Sequence, residues 1–306
     1  MLQDINKFNS VEQSDFSTCL DVIEHSHQVS GIDTTLRFHY FKFNANKQPM
    51  IKALANTLYS YIIDYCLSAK NRDDKLSNRQ ATILTKEARK LFRHPEVTDE
   101  SPDKTGEAGE TLLYFLMEAV VGAPQIVAKM ELKTNHKDEV KGSDGIHAKW
   151  NDELDIVDFY FGEAKLYKQV SSAIDSALKS ISDFHDIKMY EHEFSMVTKH
   201  FKYADESVKE QISNLFIHGE TGSGVRVNHS CLIGYDFNGY QTCSGKNHIE
   251  IEKDFRDIFI SDSSRITSLL QKKFDKFDKK HLAFDVFMIP FPSVVEFRNA
   301  FNEALD

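Results

Sequence analysis

Length, composition and charge exclude several classes of protein for this chain. It has 306 residues, 41% of them hydrophobic, which is enough to bury one large core or two smaller ones. No apolar run reaches the ~18 residues that span a bilayer, and the N-terminus lacks the basic start and apolar segment of a signal peptide. The net charge of −10 counts against a strongly basic nucleic-acid binder. Four scattered cysteines without a CxxC pair argue against a zinc ribbon and favour a reducing cytoplasm.

The first hundred residues are predicted to form a mostly helical extension with one strand. Residues 36–43 mix aromatic and basic side chains in partial alternation, which is typical of a strand. Apolar periodicity predicts helices over 47–69 and 77–93. The polar segment 94–109 contains Pro and Gly and predicts a connector. We therefore predict two regions, 1–100 with a partner or DNA contact and 101–306 with the main core.

Charge is distributed unevenly along the chain. Residues 70–94 carry eight Lys and Arg against three acidic residues, a net +5, and residues 271–280 carry five lysines against two aspartates. The simplest interpretation of both segments is a solvated helix face. The functional alternative is a surface that follows backbone phosphates or contacts a partner protein.

The second region alternates helices and strands in an order that indicates its fold class. A helix over 109–121 carries Glu110 in its first turn, and the next helix, 171–190, has Ser171 or Ser172 as its expected N-cap. Further helix is expected to about 217 and between the last two strands, and a helix closes the chain. The predicted strands are 124–133, 146–151, 155–165, 228–237 and 281–292. Helix, three strands, helix, strand predicts an α/β fold with a mixed sheet flanked by helices.

The strand 155–165, with the sequence DIVDFYFGEAK, places an acid and an amine at the end of an apolar face. Because side chains alternate along a strand, Val157, Phe159 and Phe161 share one face with Glu163 and Lys165. Burying the last two unpaired would cost several kcal/mol each. We therefore expect Glu163 and Lys165 to line a cleft beside partners.

A carboxylate beside an ammonium suits metal-assisted hydrolysis of a phosphodiester. Carboxylate oxygens hold Mg²⁺ or Mn²⁺, the metal acidifies a water, and the ammonium orients that water or stabilises transition-state charge. Asp144, 19 residues upstream at a Gly-flanked turn, is the candidate second ligand. The triplets Glu131-Leu-Lys133 and Glu139-Val-Lys141 are rivals, but only Glu163-Ala-Lys165 has an acid one hairpin upstream and a helix directly after it. The plainer interpretation of Glu163 and Lys165 is an ordinary ion pair at a sheet edge.

These residues resemble the PD-(D/E)xK nuclease superfamily. The resemblance rests on GSDG and GEAK following a helix that bears a glutamate, with Ser143 where the superfamily often has proline. It implies a restriction-endonuclease-like α-β-β-β-α-β core. It further implies that Asp144 and Glu163 bind Mg²⁺ or Mn²⁺, that Lys165 activates water, and that Glu110, or Glu107 in its place, supplies the acid of the first helix.

A narrower resemblance covers roughly residues 105–190. The segments TGEAGETLLYFLMEAV, KMELKTN, GSDGIHA and GEAKLYKQVSSAIDSALKSISDF resemble the HamA family, the nuclease subunit of the Hachiman anti-phage system. This resemblance implies a DNA-cleaving effector controlled by a large superfamily 2 helicase partner, HamB. A non-catalytic adaptor that docks on the helicase is the alternative, and the same fold acting on RNA is a third.

Four further residues are candidates for the cleft or for DNA contact. His147 lies three residues after Asp144, Lys133 ends a predicted strand, and Lys168 and Gln169 begin the helix after the motif. The segment GETGSGVRV, residues 219–227, begins like a phosphate-binding loop but lacks the Lys-Ser/Thr that must follow. We therefore predict no nucleotide binding by this chain.

Overall fold

A six-stranded mixed sheet organises the protein. The computed structural model describes residues 2–72, 75–92, 106–133, 142–217, 220–221 and 224–306. The sheet strands are β1 Leu20–Ile23, β2 Asp33–Phe41, β3 Gly145–Asn151, β4 Ile156–Tyr167, β7 Val225–Asp236 and β8 Ala283–Phe291, and a separate hairpin is formed by β5 Phe216–Ile217 and β6 Glu220–Thr221. The spatial order of the sheet is β1-β2-β8-β7-β4-β3. The four central strands run parallel, and β1 and β3 pair antiparallel at the two edges.

Helices cover both faces of this sheet. The α-helices are α1 Gln13–Cys19, α2 Ile51–Ser60, α3 Ile62–Cys66, α4 Asn78–Leu91, α5 Glu107–Leu116, α6 Val170–Asp186, α7 Met189–Lys199, α8 Glu206–Ser213, α9 Gly239–Thr242, α10 His248–Phe274 and α11 Val294–Leu305. Short 3₁₀ segments occur at Leu2–Phe8, Ala69–Asn71 and Lys129–Leu132. None of these described helices combines the length and the apolar character that a bilayer span requires.

The central strands are buried because helices pack on both of their faces. β8 is buried along nearly its whole length, which explains its continuous apolar sequence. On one face, Phe159 and Phe161 of β4 pack against Phe194 of α7. On the other face, α5 packs so closely that a Cβ at Gly162 would lie 2.9 Å from Leu113. The sheet is therefore held rigidly where β3 and β4 meet.

Most of the predicted strands and helices are confirmed, with shifted ends. The predicted strands 36–43, 146–151, 155–165, 228–237 and 281–292 correspond to β2, β3, β4, β7 and β8. The predicted helix 77–93 is α4, whose first turn is closed by a capping box between Ser77 and Gln80. The mixed α/β class with flanking helices is thus confirmed.

Three local predictions are wrong. The helix predicted over 47–69 breaks at Tyr61, whose hydroxyl bonds Asp15 at 2.6 Å. The strand predicted over 124–133 is reduced to isolated bridges from Gln125 and Val127, followed by a 3₁₀ turn. Helix α6 begins after Gln169, so neither predicted serine is its N-cap.

The division at residue 100 stays a prediction. Most of the proposed connector, residues 94–105, lies outside the described residues, as do the rival triplet at 139–141 and part of the segment 219–227. Strands β1 and β2 come from the first hundred residues, yet they belong to the same sheet as β3, β4, β7 and β8. The N-terminal region thus contributes directly to the central sheet.

Candidate active site

A polar cavity opens where β4 extends past the end of β3. β3 begins at Gly145, which pairs with Gly162, while β4 continues to Tyr167 with β7 as its only strand neighbour among the described residues. The cavity in this corner has a volume of about 410 Å³. Its charged lining consists of Glu107, Glu110, Lys129, Lys133, Asp144, Glu163, Lys165 and Asp183.

The strand register brings Asp144 beside Glu163. Gly145 faces Gly162 in the antiparallel pair, so the preceding residue, Asp144, comes opposite Glu163. Directly opposed residues in an antiparallel pair project from the same face of the sheet. Lys165 shares that face because it lies two residues beyond Glu163. The three side chains named by the sequence motif therefore line one cavity.

Hydrogen bonds from β4 fix the Asp144 carboxylate. The Asp144 N–H donates to the Gly162 carbonyl at 2.8 Å, and Asp144 Oδ2 accepts the Ala164 N–H at 2.7 Å. Ala164 lies beyond the end of β3, so its N–H would otherwise face an open edge. The carboxylate takes the place of the missing strand partner, which holds Asp144 at a fixed distance from Glu163.

Lys165 forms an ion pair with Glu163 in the cavity wall. Their side chains are 21% and 12% exposed, so both are largely withdrawn from solvent. Burial by itself lowers the pKa of Lys165, but the Glu163 carboxylate outweighs burial and raises that pKa above the ordinary value of a lysine. Lys165 is therefore a permanent cation at neutral pH.

Glu110 reaches the cavity from the first turn of α5. The Tyr65 hydroxyl donates to Glu110 Oε2 at 3.4 Å. Burial and the neighbouring Glu107 raise the pKa of Glu110 to about 7, against an opposing effect of Lys133. Burial also raises the pKa of Asp144, and the charges of Glu163 and Glu110 raise it further. The carboxylates of Glu163 and Glu110 thus both repel the carboxylate of Asp144 across the cavity.

This arrangement fits a hard divalent cation. Asp144 and Glu163 offer carboxylate oxygens on one face, and a cation between them would relieve the repulsion that raises the pKa of Asp144. Within the described ranges, no group of three or more His, Cys, Asp or Glu side chains is arranged to hold a metal ion. Mg²⁺ often binds through one or two carboxylates and retains several waters, so a pair of ligands is sufficient. Asp144 and Glu163 are therefore the two residues that could hold such an ion, and Glu110 lines the cavity beside them.

Lys133 lines the cavity as the counter-ion of Glu107. Its ammonium donates to Glu107 Oε1 at 2.7 Å and to the Leu91 carbonyl at 3.1 Å, and both charged side chains are buried. The pair joins the beginning of α5 to the end of α4. Lys133 thus lines the cavity with its charge already neutralised by Glu107, and its proposed contact with DNA phosphate stays a prediction.

His147 does not reach the cavity. It follows Asp144 by three residues, an odd number, so its side chain projects from the opposite face of the sheet, toward α5. Its Nδ1 lies 2.9 Å from the Ala123 carbonyl, and burial lowers the pKa of its imidazole to about 3. The expectation that His147 faces the cleft is therefore corrected: it is a buried structural histidine.

Lys168 and Gln169 are exposed, directly precede α6 and lie outside the cavity lining. Their proposed contact with DNA phosphate stays a prediction. The rival Glu131-Leu-Lys133 triplet is not a strand end, because Glu131 lies in the 3₁₀ turn and accepts the Ser68 N–H at 3.1 Å. The rival therefore lacks the alternating geometry that its spacing indicated.

Sequence reasoning missed the groups that support Asp144. Lys129 and Glu193 form a buried ion pair beneath the turn that carries Asp144. His229, opposite Phe161 in the register, also lines the cavity and contacts His185 at 2.8 Å. Glu193 lies 30 residues after Glu163 on a separate helix, and no local spacing connects it to the motif. The one signal in the sequence was that Lys129 and Glu193 each interrupt an otherwise apolar pattern.

The fold and the site together define a mixed α/β protein with a carboxylate-and-lysine cleft at the end of its antiparallel strand pair. The HamA family model matches residues 16–305, so the chain belongs to the HamA family. A comparison with curated proteins gave no match. Membership of the HamA family indicates a role in Hachiman anti-phage defence.

Proposed function

We propose that the protein is a metal-dependent DNA nuclease of the PD-(D/E)xK type and the effector subunit of a Hachiman system. The observation that carries this proposal is the placement of Asp144, Glu163 and Lys165 in one cavity, held by the β3–β4 register. A cytoplasmic site of action agrees with the four cysteines, which are all free thiols.

The order of elements around the cavity supports a restriction-endonuclease-like core. Helix α5 is followed by the extended segment 124–128, then β3, β4 and α6, and β7 follows after the inserted helices α7 and α8 and the β5–β6 hairpin. This succession matches α-β-β-β-α-β, with the first strand reduced to isolated bridges. The bridge from Gln125 to His147 places the reduced strand beside β3, where the first strand of such a core is expected.

Each group in the cavity has a distinct part in the proposed hydrolysis. Asp144 and Glu163 would hold Mg²⁺ or Mn²⁺, which supplies a Lewis acid that polarises the phosphodiester and increases the acidity of a water molecule. Lys165 stays protonated, so it orients the attacking water as a donor or stabilises negative charge on the phosphate, and it does not act as a base. The Ala164 N–H keeps the Asp144 carboxylate in place throughout.

The charge of the protein supports dependence on a partner. A net charge of −10 and several carboxylates around the cavity oppose the approach of DNA to the isolated chain. A helicase subunit that binds DNA would offset this repulsion by delivering the substrate. We propose that a superfamily 2 helicase partner both delivers the substrate and restrains the nuclease until foreign or damaged DNA is present.

Plasmid cleavage by the purified chain, alone and with its helicase partner, tests the function. With Mg²⁺ or Mn²⁺, we expect cleavage of DNA in the presence of the partner and little by the chain alone at physiological salt. Chelation by EDTA should remove the activity, and added Mg²⁺ should restore it. Absence of cleavage under all these conditions would support the non-catalytic adaptor, and preferential cleavage of RNA would support the third alternative.

Helix α4 supplies a surface on which DNA can approach the cavity. Arg79, Lys86 and Lys90 are exposed and spaced seven and four residues apart, so they form one stripe along the helix. The end of α4 is joined to the cavity through the Leu91 carbonyl, which accepts a hydrogen bond from Lys133. The end of α4 that carries Lys90 therefore lies near the cavity wall, which agrees with a role for the net +5 of residues 70–94.

Neutralising this stripe should weaken DNA binding in a salt-dependent way. The double substitution Lys86→Gln and Lys90→Gln is expected to lower the slope of log affinity against log salt by about 2 for duplex DNA, because each phosphate contact contributes about 0.9. Binding by the partner complex, measured over a salt series, gives this slope. The matched control, Lys272→Gln with Lys276→Gln, removes the same charge from the other basic segment. Equal slopes for the two double variants would refute a specific role for α4.

A further inference from the structure

A buried ion pair lies beneath the turn that carries Asp144. Lys129 Nζ lies 2.7 Å from Glu193 Oε1, and the two residues are 6% and 0% exposed. Lys129 belongs to the 3₁₀ turn after the reduced strand, and Glu193 belongs to α7. The pair therefore connects two elements on either side of the turn at residues 142–144.

The ion pair holds both backbone polar groups of Ser143. The Ser143 N–H donates to Glu193 Oε1 at 2.7 Å, and the Ser143 carbonyl accepts a hydrogen bond from Lys129 Nζ at 2.6 Å. Ser143 is the residue directly before Asp144 and is itself buried. Since the backbone of Ser143 cannot shift without breaking two charge-assisted hydrogen bonds, the position of the Asp144 backbone is fixed from this side.

Gly142 allows the glutamate to approach this closely. Its φ of +109° lies in the region that favours glycine, and a Cβ there would lie 1.9 Å from Glu193 Oε1. Any larger residue would displace the carboxylate from the Ser143 N–H. The close packing of α7 on the turn therefore requires glycine at position 142.

Stability alone is a poor explanation for this pair. Removing two charges from water costs free energy that their attraction often fails to recover. In addition, Glu193 Oε2 has no hydrogen-bond partner among the described residues, which adds to the cost of burial. The contacts that the pair does make are directed at the backbone of Ser143, one residue from the proposed ligand.

We propose that Lys129 and Glu193 are positioning residues for the metal site. They fix Ser143 from below, while Gly162 and Ala164 of β4 fix Asp144 from the side, so that the Asp144 carboxylate stays opposite Glu163. This inference rests on the proposed function, since it assigns to the pair a role in metal binding by Asp144 and Glu163.

The test compares Mn²⁺ binding by the full-length parent chain and by Glu193→Gln, measured by calorimetric titration. Glutamine can still accept the Ser143 N–H, but it loses the charge that holds Lys129. Because loss of a group that supports a metal ligand costs about 10–100-fold in affinity, we expect Kd for Mn²⁺ to rise by at least about 10-fold. Cleavage by the partner complex should fall at low Mn²⁺ and recover at high Mn²⁺, whereas a merely structural defect would not be rescued by metal.

Asp158→Asn is the matched control. Asp158 is buried, its Oδ1 lies 2.6 Å from Arg226 Nε in an ion pair, and its side chain projects from the face of β4 opposite to the cavity. Its loss should lower the melting temperature without changing Mn²⁺ affinity. If Glu193→Gln cannot be purified, Glu193→Asp keeps the charge, shortens the reach and is expected to shift Kd in the same direction.

Two outcomes separate this inference from the proposed function. If the parent binds Mn²⁺ through Asp144 while Glu193→Gln or Glu193→Asp binds it equally well, the positioning role is wrong and the metal site stands. If the parent shows no Mn²⁺ binding that depends on Asp144, the proposed nuclease site itself is wrong.

Discussion

Asp144→Asn is expected to abolish metal-dependent DNA cleavage while leaving the protein folded. Asparagine keeps an oxygen that can accept the Ala164 N–H, so the turn should retain its geometry. It loses the negative charge that a divalent ion requires. Since even a residue that only supports a ligand is worth about 10–100-fold in metal affinity, loss of the ligand itself should cost more than about 100-fold. Cleavage of supercoiled plasmid and calorimetric Mn²⁺ titration measure the two effects.

The thermal stability of the metal-free Asp144→Asn variant gives an independent check. Asp144 lies among the like charges of Glu163 and Glu110, so removal of its charge should leave the melting temperature unchanged or raise it. Asp175→Asn, which removes an exposed carboxylate paired with Lys273, serves as the control and should cleave like the parent. Full cleavage by Asp144→Asn would contradict the assignment of Asp144 as a ligand.

Lys165→Met is expected to separate catalysis from metal binding. Methionine fills a similar volume without the ammonium, which we propose orients the water or stabilises charge on the phosphate. Loss of one such electrostatic group usually lowers kcat by about 10²–10³-fold. Metal affinity should be retained or increased, because the ammonium that pairs with Glu163 no longer competes with the ion.

The Mn²⁺ affinity and the cleavage rate of Lys165→Met are measured on the same preparation, by calorimetric titration and by cleavage at saturating metal. Lys273→Met removes a lysine from an exposed ion pair and should change neither quantity. A variant that cuts at the parental rate would reduce Glu163 and Lys165 to an ordinary ion pair. An adaptor without catalysis would show no metal affinity that depends on Asp144, in Lys165→Met or in the parent.

Taken together, the two substitutions produce different signatures for the competing functions. For a nuclease, Asp144→Asn loses metal and cleavage, while Lys165→Met loses only cleavage. For an adaptor, both variants keep their contact with the helicase and neither changes metal binding. Co-purification with the proposed helicase partner therefore needs to accompany both assays, so that loss of the complex is not mistaken for loss of chemistry.

The local part of the site could be predicted from the sequence, because strand periodicity is a local property. Alternation in DIVDFYFGEAK places Phe159, Phe161, Glu163 and Lys165 on one face, and the structure has them there. The turn that carries Asp144 one hairpin earlier was also visible, since a short antiparallel connection must return the chain beside β4. The motif segments identified a family whose model matches nearly the whole chain.

The tertiary structure decided everything that depends on pairing between distant residues. His147 faces away from the cavity because the register starts at Gly145, and Lys133 is neutralised because α5 places Glu107 beside it. The predicted strand 124–133 keeps only isolated bridges from Gln125 and Val127, and its partners along the chain, His147 and Phe201, are set by the tertiary structure.

The same contrast between local pattern and tertiary pairing holds for residues 1–100 and for the ion pair of Lys129 and Glu193. Helix α4 could be predicted from apolar periodicity, whereas the insertion of β1 and β2 into the central sheet depends on the crossover that brings β8 beside β2. Glu193 and Lys129 meet only because α7 packs over the turn at Gly142. The sequence by itself determined which side chains share a strand face beside the turn that carries Asp144, since face and spacing are set within a few residues. Only the tertiary structure decided which charges are paired, because ion pairs join positions whose separation along the chain carries no information about their distance in space.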